Sequence, residues 1–116
     1  MVRRSAEKTV TRAERKFGAD GFIRVASLTE TDAELNHKGR VFAHTTVLPG
    51  NGIGYHTHQG ESEIYYIYSG CGEYNDNGCI TTVGPGDVAI TPDGTGHGIK
   101  CIGTEPLELI ALILSR

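Results

Sequence analysis

Short runs of strand-forming residues, separated by turn formers, are the feature that most limits how this chain can fold. From Gly39 onward, runs rich in β-branched or aromatic residues alternate with glycine, proline and Asn-Gly turns. This spacing is typical of antiparallel sandwiches and barrels and leaves no place for a long helix. The sequence therefore predicts an all-β fold, and a length of 116 residues fits one domain.

Nine strands are predicted from this pattern. They are Phe22–Ser27, Arg40–Leu48, Gly54–His58, Glu63–Tyr68, Gly72–Asn75, Cys79–Val83, Asp87–Thr91, Gly98–Ile102 and Leu107–Leu114. The last one is apolar on both of its alternating faces, except at Glu108. A strand of this kind is covered on both sides, which in a small β-protein indicates a subunit contact.

The first twenty residues differ from the rest in charge. Residues 1–16 carry six basic and two acidic side chains, whereas residues 17–116 have a balance of −7. Helix formers between Ala6 and Phe17 predict a short helix or a loose segment. We therefore divide the chain into a basic N-terminal arm, residues 1–20, and one domain, residues 21–116. The acidic body argues against nucleic acid as a partner, because phosphate requires a broad positive surface.

Composition also bears on the cellular compartment. The longest apolar run, Leu109–Leu114, is far shorter than the roughly 20 residues of a membrane span. The basic N-terminus lacks the apolar stretch of a signal peptide. The three cysteines form no Cys-x-x-Cys pair, and no bridge is expected between Cys71 and Cys79. These observations predict a cytoplasmic protein with reduced thiols and no membrane partner.

Three histidines and one glutamate stand out as potential metal ligands. His56 and His58 lie two residues apart, so in an extended segment both imidazoles point to the same face. Glu63 begins the aromatic strand, and His97 follows a Pro-Asp-Gly turn. These four groups can share one barrel interior, and they suit a borderline divalent metal.

The spacing around these residues forms two motifs. Gly50, His56, His58, Glu63 and Gly70 fit G-x5-HxH-x4-E-x6-G at every position. A second motif, G-x5-PxG-x2-H-x3-N, fits at every position but the last; its members are Gly86, Pro92, Gly94, His97 and Cys101, the cysteine standing where the motif has asparagine. With these two motifs, 15 residues apart, the chain resembles the cupin superfamily.

The resemblance implies a small antiparallel β-barrel, a double-stranded β-helix of jelly-roll type, preceded by the N-terminal arm and usually dimeric. It also implies one divalent transition metal (Mn, Fe, Ni, Co or Zn) held by His56, His58, Glu63 and His97. Glu63 is preferred over Glu61 because the family spacing allows three or four residues after the second histidine, and position 62 is serine.

The cupin resemblance leaves the activity open. One hypothesis is a metalloenzyme, of isomerase, dioxygenase, decarboxylase or lyase type, acting on a small sugar or organic acid. The alternative is a non-catalytic module that binds or senses a small molecule. An enzyme needs a proton-transfer group near the metal, and the sequence offers four candidates: Glu61, Tyr65, His44 and Cys101. His44 is otherwise an ordinary strand histidine, and Cys101 a small buried hydrophobic residue.

Overall fold

A computed structural model describes the whole chain, residues 1–116. It contains ten strands: β1 Val10–Glu14, β2 Phe22–Ser27, β3 Gly39–Val47, β4 Gly52–Thr57, β5 Glu61–Ser69, β6 Cys71–Asp76, β7 Cys79–Val83, β8 Val88–Thr91, β9 Gly96–Ile102 and β10 Leu107–Ser115. Three 3-10 turns, at Ser5–Glu7, Lys16–Gly18 and Asp32–Leu35, are the only helical elements. None of them has the length and apolar character that crossing a membrane requires.

The strands form two antiparallel sheets. The large sheet has the order β1-β2-β3-β10-β5-β8, and the small sheet has the order β4-β9-β6-β7. The sheets pack face to face as a jelly roll and do not close into a barrel. The predicted all-β class and jelly-roll type are confirmed, because each half-buried strand needs a second layer to cover its apolar side.

The core lies between the two sheets. In β10 every odd-numbered residue from Leu107 to Ile113 is buried, while Glu108 and the other even-numbered residues are half-buried. The even-numbered side chains of β5, β8 and β10, with those of β3 from Phe42 to Thr46, form the opposite surface of the large sheet, here called the outer face; a register shift between Gly39 and Val41 takes Arg40 out of this alternation. Several large apolar side chains are exposed on it, including Tyr66, Val88 and Ile90. The sequence predicted that β10 is covered on both faces. Within this chain, the second sheet covers only its inner face.

The N-terminal segment is a strand where the sequence suggested a helix or a loose arm. β1 pairs with β2 along its full length, from Val10 opposite Ala26 to Glu14 opposite Phe22. The edge of β2 offers unpaired backbone groups, and Val10 and Thr11 are β-branched, which favours pairing over an isolated short helix. Residues 10–14 thus belong to the large sheet. The division between residues 1–20 and 21–116 stays a prediction.

The cysteines agree with the sequence analysis. Cys71 and Cys79 are exposed free thiols, and Cys101 is a buried one. Cys101 belongs to the hydrophobic core, and its Sγ lies 3.2 Å from the backbone oxygen of Glu105. It therefore acts as a small core side chain.

Candidate metal centre

The four expected ligand residues meet between the sheets. His56, in β4, lies directly opposite His97 of β9 in the small sheet. His58 follows the end of β4, and Glu63 is near the start of β5 in the large sheet. The cluster therefore joins the two sheets at the point where β4 ends and where β5 and β9 begin.

The ligand atoms of these residues converge on a small volume. His58 Nε2 lies 3.0 Å from Glu63 Oε1 and 3.1 Å from His97 Nε2. His97 Nε2 lies 2.9 Å from the same Glu63 oxygen. The centre of the His56 ring is 4.9 Å from that of His58 and 4.7 Å from that of His97. One ligand atom from each of the four residues lies within 4.8 Å of all the others.

Hydrogen bonds at Nδ1 determine how two of the imidazoles face the cluster. His56 Nδ1 is 2.8 Å from the carbonyl oxygen of Gly54, which can only accept, so this nitrogen carries the proton. His58 Nδ1 is 3.0 Å from Glu61 Oε1 and donates to that carboxylate. With the proton on Nδ1, Nε2 is the nitrogen that each ring directs at the centre.

His97 is oriented by hydroxyl groups. Its Nδ1 lies 2.9 Å from Tyr74 Oη and 2.9 Å from Thr91 Oγ1, and the two hydroxyls are 2.7 Å apart. The three residues are buried, at 1–2% exposure. When Nδ1–H donates to a hydroxyl oxygen here, the hydrogen bond fixes the orientation of the imidazole and leaves Nε2 as the nitrogen for a metal.

This donor set fits a divalent cation. Imidazole lone pairs facing one another and a carboxylate repel each other unless a positive charge lies among them. Three neutral imidazoles and one carboxylate suit Mn, Fe, Co, Ni or Zn. Burial is the main factor that lowers the pKa of His56, and this favours the neutral form that binds metals.

Glu61 takes a supporting place beside the cluster. Its carboxylate accepts two hydrogen bonds of 2.8 Å from Arg40 and one from His58. The Arg40 guanidinium is the main cause that lowers the pKa of Glu61 to about 2, with a smaller effect of His58. The structure thus brings Glu63 into the cluster and leaves Glu61 as an ionised anchor for a ligand ring.

A cavity of about 180 Å³ adjoins the cluster. His56, His58 and Glu63 form its polar part. Its other walls are mainly apolar and are formed by Phe17, Ile23, Val25, Val41, Ala43, Ile53, Tyr65, Ala111 and Ile113. Three further lining residues are polar or charged: Thr45, Lys16 and Arg40. The cavity is a suitable size for a small molecule rather than a polymer.

The segment between β1 and β2 contributes a wall that sequence reasoning missed. The Phe17 ring stacks on the His56 ring, with centroids 3.9 Å apart and planes 12° apart. At Gly54 a Cβ atom would lie 1.9 Å from the Phe17 carbonyl oxygen, so this approach requires glycine. A glycine inside a predicted strand, two residues before a candidate ligand, is the signal that could have indicated a close backbone neighbour.

The four proposed proton-transfer candidates have different positions. Tyr65 lines the cavity, where its ring stacks on His97 at 5.0 Å and burial raises its pKa well above the usual value. His44 lies on the outer face, where it bonds to Glu108 and Tyr68. Cys101 and Glu61 do not line the cavity. Tyr65 is therefore the only one of the four with access to a ligand there.

Comparisons with known proteins identify the family and the fold. A family model described as the cupin domain matches residues 43–113. An oxalate-binding protein of Thermotoga maritima is 40% identical over 114 residues, which cover 98% of this chain and 93% of the relative.

Solved structures extend the comparison to three dimensions. A Thermotoga maritima structure, described as a predicted oxalate decarboxylase, superposes with a TM-score of 0.94 at 38% identity and covers 100% of both chains. A Klebsiella pneumoniae protein with a double-stranded β-helix domain superposes with a TM-score of 0.67 at 27% identity, covering 78% of this chain and 70% of that one.

Proposed function

The chain belongs to the cupin domain family, and on that premise we propose that it binds a small organic acid, with oxalate as the first candidate, at a divalent metal. His56, His58, Glu63 and His97 are the proposed ligands. The observation that carries the proposal is the convergence of their ligand atoms within 4.8 Å beside a cavity.

The ligand set leaves room for a further ligand on some metals and not on others. Four protein ligands on a six-coordinate Mn, Fe, Co or Ni ion leave two positions, which suits an acid that binds through two oxygens. On a tetrahedral zinc ion the same four ligands leave none, and such a site is structural. A bound metal would supply positive charge to polarise a carboxylate oxygen.

The choice of an organic acid rests on the cavity and on the relatives. A cavity of about 180 Å³ accepts a molecule of only a few heavy atoms. The relative that is 40% identical is described as oxalate-binding, and the structure at 38% identity as a predicted oxalate decarboxylase. The cationic side chain of Lys16 at the cavity wall also favours an anion over a neutral sugar.

Binding is favoured over catalysis as the primary role. Of the side chains considered for proton transfer, only the Tyr65 phenol lines the cavity, and its raised pKa keeps it protonated. Decarboxylation remains the second candidate, because a protonated Tyr65 can donate a proton to the carbon that loses carbon dioxide. Isomerase, dioxygenase and lyase activities have no such supporting observation.

The test uses the full chain freed of metal with a chelator and reloaded with Mn²⁺. We expect oxalate to bind saturably to the reloaded protein and not to the metal-free protein, as measured by calorimetry. Formate release from the same mixture decides between the two candidates, since a binding module produces none. Equal oxalate binding with and without metal would contradict the proposal.

A second copy of the chain is the proposed cover of the outer face. Tyr66, Val88 and Ile90 are 46%, 56% and 60% exposed there, beside the half-buried apolar residues of β10. Exposed apolar area of this kind marks an interaction surface. Light scattering should give a dimer, and Tyr66→Asp should give a folded monomer. A wild-type monomer at micromolar concentration would refute the assignment.

A cytoplasmic location is also part of the proposal. All three cysteines are free, two of them exposed, which suits a reducing compartment.

A further inference from the structure

A short segment between β1 and β2, residues 15–18, lies against the metal-site cavity and is called the strap here. It places Lys16 and Phe17 on the cavity wall. The Lys16 ammonium lies 5.1 Å from the centre of the Phe17 ring, and that ring stacks on His56. Lys16, Phe17 and His56 therefore line the same cavity side by side.

The strap is held in an unfavourable backbone conformation. Arg15 and Phe17 have φ values of 47° and 51°, in the left-handed region that non-glycine residues rarely adopt. Such conformations persist only where their surroundings impose them, and they concentrate at functional sites. Here the stack on His56 and the contact that Gly54 permits hold the strap in place. The strained geometry places the backbone of residue 16 beside the cavity, and the Lys16 side chain lines it.

The charges around the cavity leave one cation without a partner. The charge of Arg40 is balanced by the Glu61 carboxylate, to which it donates two hydrogen bonds of 2.8 Å. Glu63 belongs to the ligand cluster. Lys16 makes no ion pair with any carboxylate of the chain, although it lines the same cavity. Its charge is thus available to a bound molecule.

We propose that Lys16 recognises the second carboxylate of a dicarboxylate bound at the metal and so selects dianions over monoanions. The inference rests on the proposed function. A divalent metal with Glu63 leaves one net positive charge, and Lys16 adds another, so a dianion neutralises the cavity whereas a monoanion does not. Because charge pairing is stronger beside an apolar wall than in water, this difference affects the affinity.

The test compares Lys16→Met with Lys100→Met, which removes an exposed lysine from the outer surface of the small sheet and not from this cavity. Each Mn²⁺-loaded protein is titrated with oxalate and with acetate. Lys16→Met should weaken oxalate binding about five- to tenfold and acetate binding less than about twofold. Lys100→Met should change neither, and Mn²⁺ affinity should stay the same in both. Lys16→Arg should keep most of the preference for oxalate.

The outcomes separate the inference from the function on which it rests. If wild type binds oxalate through Mn²⁺ and Lys16→Met binds it equally well, the inference alone is wrong. An equal loss for oxalate and acetate would also overturn it, since it would show a general effect on the site. If wild-type protein loaded with Mn²⁺ binds no oxalate, the proposed function and the inference both fail.

Discussion

Two histidine–carboxylate clusters lie on opposite faces of the large sheet, and they differ in how their polar atoms are satisfied. On the inner face, Glu63 meets three imidazoles that point their Nε2 atoms at one centre. On the outer face, a single imidazole, His44, directs Nε2 at both Glu108 and Tyr68. The inner cluster has lone pairs to offer a cation, whereas the outer cluster satisfies itself.

The comparison shows that residue type alone does not make a metal site. The inner imidazoles are held at Nδ1 by oxygen atoms, such as the Gly54 carbonyl and the Tyr74 hydroxyl, so Nε2 is the nitrogen that faces the other ligand residues. In the outer cluster Nε2 itself makes the hydrogen bonds, and Tyr68 is 42% exposed to solvent. The two clusters therefore differ in that the inner imidazoles are anchored at Nδ1 and converge at Nε2, whereas the outer one is anchored at Nε2.

The strongest test of this contrast removes one imidazole from each cluster. His97→Ala should lower Mn²⁺ affinity by at least about 100-fold, because it removes a proposed ligand. His44→Ala should leave the affinity unchanged. Competition with a fluorescent chelator measures both, and far-ultraviolet circular dichroism checks that each variant is folded. If His97→Ala bound Mn²⁺ as tightly as wild type, the inner cluster would not be the metal site.

Removing one hydroxyl oxygen from the inner cluster should have a smaller effect on Mn²⁺ affinity than removing a ligand. Tyr74→Phe removes a hydroxyl that lies 2.9 Å from His97 Nδ1, and Mn²⁺ affinity should fall about tenfold. The effect is limited because Thr91 keeps its own contact with this nitrogen. Tyr68→Phe is the matched change in the outer cluster and should have no effect on affinity. Equal affinities for both variants would show that the hydroxyl does not orient His97.

The smallest effect concerns the pH dependence of stability in the outer cluster. Burial opposes ionisation of Glu108, but hydrogen bonds from His44, Tyr68 and Thr46 outweigh it and lower its pKa below the usual 4.5. The ionised carboxylate therefore stabilises the fold above pH 4.5, and this contribution is lost as the pH falls through the folded-state pKa.

Glu108→Gln removes that titration. Wild type should exceed the variant in free energy of unfolding by about 1 kcal/mol or less at neutral pH, and the gap should narrow below pH 4.5. Urea denaturation at several pH values measures this difference in free energy of unfolding. Glu105→Gln, in the turn that precedes β10, is the control. If the difference in free energy of unfolding widened on acidification, the pKa of Glu108 would be raised in the folded protein and not lowered.

Much of the fold was predictable because its determinants are local. The nine predicted strands correspond to β2–β10, since alternation and turn residues are encoded within each short run. The resemblance to cupins also named the four residues that the structure brings within 4.8 Å. The choice of Glu63 over Glu61 as the ligand came from motif spacing, because alternation along a strand puts both side chains on the same face.

The features that escaped prediction depend on distant parts of the chain. β1 forms because β2 offers an edge, and nothing within residues 10–14 encodes that partner. The stack of Phe17 on His56 requires the close approach that Gly54 allows, and the contact of Tyr74 with His97 joins adjacent strands, β6 and β9. These contacts are set by tertiary packing, which overrides local propensity.

Electron paramagnetic resonance of Mn²⁺ titrated into chelator-treated wild-type protein tests the central claim most directly. The account predicts saturation at about one equivalent, with a spectrum distinct from that of hydrated Mn²⁺, and a further spectral change when oxalate is added. If the spectrum stayed that of hydrated Mn²⁺ throughout the titration, the proposed metal centre would be wrong. If the bound spectrum did not change with oxalate, the proposal that oxalate binds at the metal would be wrong.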